Sequence, residues 1–136
     1  MKWYIASRFK HRDKVRSIIK SLENKGHTFV YDWTNIEDLS PFRENSERCK
    51  KIAEEISSAL RDVDVFILIS DSGGTDMFIE LGIVISNWIT KKNIRIYVVG
   101  KHNKRSLMQL HPAVIHVDSI KDVFSKEKLD ISVDSI

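Results

Sequence analysis

The segment Met77 to Thr90, MFIELGIVISNWIT, is apolar on nearly every face and holds a single ionisable side chain, Glu80. A helix of this composition belongs inside a protein, and a carboxylate carried into the interior without a partner costs several kcal/mol. Glu80 must therefore meet a backbone donor, a lysine, a cavity or a ligand. Asp71-Ser-Gly73-Gly74-Thr75 and Asp76 come just before it. Glycines let backbone N–H groups approach a phosphate or a sugar, and the start of a helix favours an anion. A Gly-Gly pair alone marks any turn; one that leads a lone carboxylate about a turn into a helix carries more information. Two further groups stand upstream. Tyr4-Ile-Ala-Ser7-Arg8 offers a hydroxyl and a guanidinium for an anion, and Tyr31-Asp32-Trp33-Thr34 offers a carboxylate and an aromatic plane on which a base can stack. Each also has a plain structural reading: Tyr4 as core, Arg8 as a solvated loop residue, Trp33 as a lid on the core.

These groups need a scaffold that gathers them. Trp3 to Ala6 is a short apolar run, and Val15, Ile18, Ile19 and Leu22 recur at helical spacing before Gly26, which predicts a strand followed by a helix. Thr28 to Asp32 reads as a second strand, and Trp33 to Asn45, with Pro41, follows neither period and reads as a long loop. Ser46 suits the N-cap of a helix with the stripe Ile52, Ala53, Ile56, Ala59, Leu60 and Val63. Val65-Phe-Ile-Leu-Ile69 is unbroken and β-branched, as a central parallel strand covered on both faces requires. A helix over 76–90, a strand over 94–99, a last strand over 114–117 and an amphipathic helix from Ser119 complete the pattern. The βαβα alternation implies one α/β domain over 1–136, a flavodoxin-like, doubly wound sheet of about five parallel strands with helices on both faces. Open sheets of this kind bind ligands beyond the carboxyl ends of their strands, where Ser7, Asp32 and Asp71 emerge.

Length and composition set the bounds. With 136 residues, 42% of them hydrophobic, the chain fits one globular domain. The net charge is only +3, yet Met1 to His27 carries eight Lys and Arg against Asp13 and Glu23. This local basicity, without the interleaved aromatics of a nucleic-acid groove, points to a small phosphate-bearing ligand and away from nucleic acid. One cysteine, Cys49, excludes an internal disulfide, and no His pair has zinc spacing, so neither metal nor organic cofactor is expected. No leader and no run long enough to cross a membrane is read, and the expected location is the cytoplasm.

Taken together, Lys2-Trp-Tyr-Ile-Ala-Ser, Tyr31-Asp-Trp-Thr, Arg61-Asp-Val-Asp-Val-Phe-Ile-Leu-Ile and Gly73-Gly-Thr with Glu80-Leu-Gly resemble the nucleoside 2-deoxyribosyltransferase superfamily, which includes 2′-deoxynucleoside 5′-phosphate N-hydrolases. The resemblance implies that Glu80 attacks the anomeric carbon of a deoxynucleoside or its 5′-monophosphate, that Tyr4 positions it, and that a glycosyl ester forms and is opened by water or by a second base. It further implies that Ser7 and Arg8, helped by Lys10 or Arg12, hold a phosphate, and that the chain forms at least a homodimer through the apolar third helix, with Phe78, Ile85 and Trp88. One position departs from the pattern. The family's helix carboxylate stands eight residues before the strand-opening aspartate, matched here by Asp64, and Ile56 occupies that place. Glu55 is the neighbouring candidate, but a one-residue shift turns a side chain by about 100° on a helix; Asp71 and Asp76 are further candidates. The substrate-binding set is then Ser7, Arg8, Asp32, Trp33, Asp71, Gly73, Gly74, Thr75 and Asp76, and the catalytic set Glu80, Tyr4 and Glu55.

Two other functions fit the same residues. NAD-cleaving TIR-like domains also set a helix glutamate beside a flavodoxin-like sheet, and a catalytically silent nucleotide-binding sensor needs no carboxylate at Ile56. Lys101-His-Asn-Lys-Arg105 reads as a solvated turn or as a reach toward a neighbouring site.

Overall fold

The computed structural model describes residues 1–132, so 133–136 of the single-domain span lie outside the described residues. Five strands form one sheet in the order β2-β1-β3-β4-β5: β1 (Lys2–Ala6), β2 (Thr28–Phe29), β3 (Val65–Ile69), β4 (Arg95–Val99) and β5 (Val114–Val117), with every pairing parallel. The order of strand addition reverses between the parallel neighbours β1 and β3, which opens a crevice at their carboxyl ends, the flavodoxin-like arrangement. The helices are α1 (Arg12–Glu23), α2 (Ser46–Ala59), α3 (Asp76–Lys91) and α4 (Ile120–Lys126).

Alternation along the strands divides the core. Trp3 and Ile5 of β1, with Val65, Ile67 and Ile69 of β3, pack against Val15, Ile18, Ile19 and Leu22 of α1 and against α4. Tyr4 and Ala6, with Phe66 and Leu68, turn to the opposite face and meet Met77, Leu81, Val84 and Ile85 of α3. All five residues of β3 are buried, as its unbroken run requires. Asp64 ties the strand starts together, its carboxylate accepting from the Lys2 N–H at 2.9 Å. None of the described helices is long and apolar enough to cross a membrane.

Three elements differ from the expectation. β2 spans two residues instead of five, because Asp32 bonds the Thr34 N–H at 2.9 Å and bends the chain into a 3-10 turn over Trp33–Asn35. α2 begins at Ser46 itself, behind a 3-10 turn over Phe42–Asn45, so that Ser46 is the first helical residue and Asn45 stands at the cap without a side-chain cap bond. The stripe read on α2 is core only at its end: Leu60 and Val63, just past the helix, are buried, whereas no residue of α2 itself is, and Ile52 and Ile56 face an open cleft.

Candidate active site

Glu80 lies one turn into α3 and Tyr4 in the middle of β1, and the pairing of Tyr4 with Phe66 across the sheet brings their rings into a stack, with centroids 5.8 Å apart. The stack aims the phenol at the helix, and the Tyr4 O–H donates to Glu80 Oε2 at 2.6 Å. Burial dominates the electrostatics. It pushes the Glu80 carboxyl up to about 7; the Tyr4 hydrogen bond opposes the shift and the nearby Asp76 adds to it. Burial likewise, and then the Glu80 charge, hold Tyr4 well above the usual tyrosine range, so the phenol remains a donor. A carboxyl balanced near neutrality and fixed by one strong donor has the properties of a nucleophile or a proton carrier.

The pair opens into a cleft of about 510 Å³. One wall comes from the loop after β1, with Ser7, Arg8 and Phe9, and the floor from α3, with Gly74, Thr75, Asp76 and Met77. The other wall combines Trp33 with Ile36, Leu39 and Phe42 of the loop after β2, and Ile52 and Ile56 of α2. The cleft thus has Arg8 and Lys10 on one wall and a largely apolar opposite wall, whose loop also carries Glu37 and Asp38, with Glu80 and Tyr4 between them.

The polar end is organised by Asp71, at the exit of β3. Its carboxylate accepts from His11 Nε2 at 2.8 Å, the Gly73 N–H at 3.0 Å and Arg8 Nη1 at 3.2 Å, with Lys10 Nζ at 3.4 Å. His11 foremost, with the Gly73 N–H, Arg8 and Lys10, outweighs burial and holds Asp71 well below the usual carboxylate range. From the loop after β4, Arg105 donates to the carbonyls of Asp71 at 3.1 Å and Gly73 at 3.4 Å, and its guanidinium lies over the Phe78 ring. The Asp71 carboxylate therefore faces one guanidinium, one ammonium and the His11 ring, while Arg105 holds the backbone of the same segment. Gly74 is required where it stands: its φ is +101°, and a Cβ there would meet Met77 Cε at 2.4 Å.

Of the residues singled out in the sequence, Tyr4, Ser7, Arg8, Trp33, Gly74, Thr75, Asp76 and Glu80 line the cleft together. Others stand elsewhere. Asp32 is spent on its turn, bonding Thr34 and Asn35. Asp71 and Gly73 sit behind Arg8, out of the cleft wall. Glu55 is exposed on α2, and its charge adds to burial in raising Tyr31, while its neighbour Ile56 faces the cleft. The stripe of Ile52 and Ile56 already carried that phase, since it points one face of α2 inward and turns Glu55 about 100° away. Trp33 presents its ring to the cleft while its indole N–H donates to the Ile5 carbonyl at 2.6 Å. Sequence reasoning missed His11 and the apolar loop residues Ile36, Leu39 and Phe42. The turn read at Lys101–Arg105 is a brace on the Gly-Gly segment through Arg105. Among the described residues no group of His, Cys, Asp and Glu is placed to hold a metal ion.

No family model matches the sequence, and no curated protein does. Among solved structures, the chain is similar to a CMP N-glycosidase, BcmB, from Clostridium botulinum. The TM-score is 0.58 at 17% identity, over 96% of this chain and 98% of that one, and this likeness establishes a common α/β fold.

Proposed function

We propose that the chain cleaves the N-glycosidic bond of a nucleotide, with Glu80 as the nucleophile and a nucleoside 5′-monophosphate, in the 2′-deoxy or the ribo form, as the substrate. The observation that carries this reading is the Tyr4–Glu80 hydrogen bond of 2.6 Å inside a cleft with Arg8 and Lys10 on one wall and aromatic and aliphatic side chains on the other. A nucleotide has the same polarity. Its phosphate suits Ser7, Arg8 and Lys10, its base suits Trp33, Phe42 and Ile56, and its anomeric carbon then falls between them, beside Glu80. The carboxylate stabilises the oxocarbenium-like sugar by forming a glycosyl ester, which water or an acceptor base opens. Likeness in fold to a protein that acts on CMP supports the same class of substrate.

A second copy of the chain is part of the reading. Ile79 and Ile89 are 64% and 58% exposed on α3, with Gly82 and Ser86 between them on one face. The order Ile79, Gly82, Ser86, Ile89 is symmetric about position 84, so an antiparallel copy of α3 sets each Ile against the other and each small residue against a small one. A Cβ at Gly82 would meet nothing within 4 Å in the single chain, so close approach by a neighbouring helix gives this mid-helix glycine a use.

The test is chromatographic measurement of free base released from ribo- and deoxynucleosides, their 5′-monophosphates and NAD, by the parent and by Glu80→Gln. Release from a monophosphate by the parent and not by the variant supports the reading. Release of nicotinamide alone would move the function to NAD cleavage. Saturable binding without release from any substrate would make the chain a nucleotide sensor.

A further inference from the structure

Glycosyl transfer through a carboxylate usually needs a second carboxyl group to manage protons. α2 brings none to the cleft, since its inward residues are Ile52 and Ile56. The carboxylates that line it besides Glu80 are Glu37, Asp38 and Asp76. Glu37 pairs with Arg48 at 3.3 Å, and Asp38 accepts from the Ser40 N–H at 2.9 Å to hold its own turn. Asp76 is different: it forms no ion pair among the described residues, it is exposed, and it stands four residues before Glu80 on α3. Residues four apart lie on one face of a helix, with Cβ atoms about 5–6 Å apart.

Resting on the glycosidase reading, we propose that Asp76 is the second catalytic carboxylate, the general base that takes the proton of the water that opens the Glu80 ester. Solvent reaches it from the cleft mouth, whereas Glu80 lies deeper under Tyr4. In the first step the bond from Glu80 Oε to C1′ forms as the C1′–N bond breaks. The electron pair leaves with the base, which takes a proton from solvent. In the second step water attacks C1′, its proton passes to Asp76, and the ester C–O bond breaks with its pair returning to Glu80. Asp76 then releases the proton to solvent, so that one is taken up and one given back per turnover.

The experiment compares the parent with Asp76→Asn and Asp76→Ser, the second keeping a side chain that suits a helix start. It records steady-state base release, the initial burst and the response to added azide, an anionic nucleophile that needs no base. The expected result is a steady-state rate lower by about 10²–10⁴-fold. A burst of one base per chain should remain, and azide should restore turnover while forming the glycosyl azide. Steady-state rates within about threefold of the parent in both variants would overturn the assignment, and so would loss of the burst together with no response to azide. A parent that releases no base from any substrate overturns the glycosidase reading itself, and the role of Asp76 falls with it.

Discussion

Removing the Tyr4 hydroxyl tests how Glu80 is kept available as an anion. Among the described residues the phenol is the one donor bonded to Glu80, at 2.6 Å, and its bond works against the burial that raises the carboxyl to about 7. A hydrogen bond to a charged group contributes about 1.5–3 kcal/mol, and one pKa unit corresponds to about 1.4 kcal/mol, so Tyr4→Phe should raise Glu80 by roughly 1–2 units. If Glu80 must be ionised to attack, the acidic limb of the kcat/KM profile moves to higher pH by the same amount. At pH 7 about half of the parent is ionised against roughly 1–10% of the variant, a loss of about 5–50-fold. Near pH 9 to 10 the two rates should converge to within a few fold. The assay is base release across pH 5–10 with a saturable monophosphate substrate. An acidic limb that stays in place, or a loss of equal size at every pH, would refute the reasoning and make Tyr4 a substrate contact instead of the group that sets Glu80.

The same carboxyl shapes stability. Its proton is held more tightly in the folded than in the unfolded chain, so stability is full below about 4.5 and declines as pH rises through about 7. Glu80→Gln should therefore raise Tm by several degrees at pH 8, corresponding to about 2–3 kcal/mol, and by little at pH 4, as thermal melts at the two pH values would show. Arg8→Ala should lower kcat/KM for a nucleoside 5′-monophosphate by about 10–100-fold while changing the value for the bare nucleoside much less, because a charge-assisted contact to phosphate is lost. Equal losses on both would remove Arg8 from phosphate recognition. Gly82→Leu should yield a monomer in sedimentation with no loss of thermal stability in the single chain, since the position is open and helix propensity improves by about 1 kcal/mol; a persistent dimer would exclude α3 as the contact.

The sheet was legible because each strand carries a local signal strong enough to stand alone, above all the unbroken run at β3, and because helical spacing separates the strands. Glu80 was legible for a related reason: one carboxylate in an apolar helix has no bland surroundings. The rest depended on distance along the chain. Arg8 reads as an anion-binding residue, and nothing near it in sequence reveals that Asp71, 63 residues later, already holds its guanidinium. The loop between β2 and α2 has no period, so its apolar residues look like an irregular surface until the fold sets them opposite Ile52 and Ile56. Glu55 shows the reverse case, in which proximity in sequence suggests a role that the phase of the helix does not allow.

Two carboxylates a helical turn apart on α3 meet different surroundings. α3 starts at the carboxyl edge of the sheet, where solvent reaches Asp76. One turn further in, the same face slides under Tyr4, and Glu80 leaves water behind, so its proton is held to about 7. The difference in depth along one helix follows from the Gly73–Gly74 turn, which brings the chain over the edge of β3 within a few residues. An insertion that lengthened this turn would move both carboxylates outward together and erase that difference in depth.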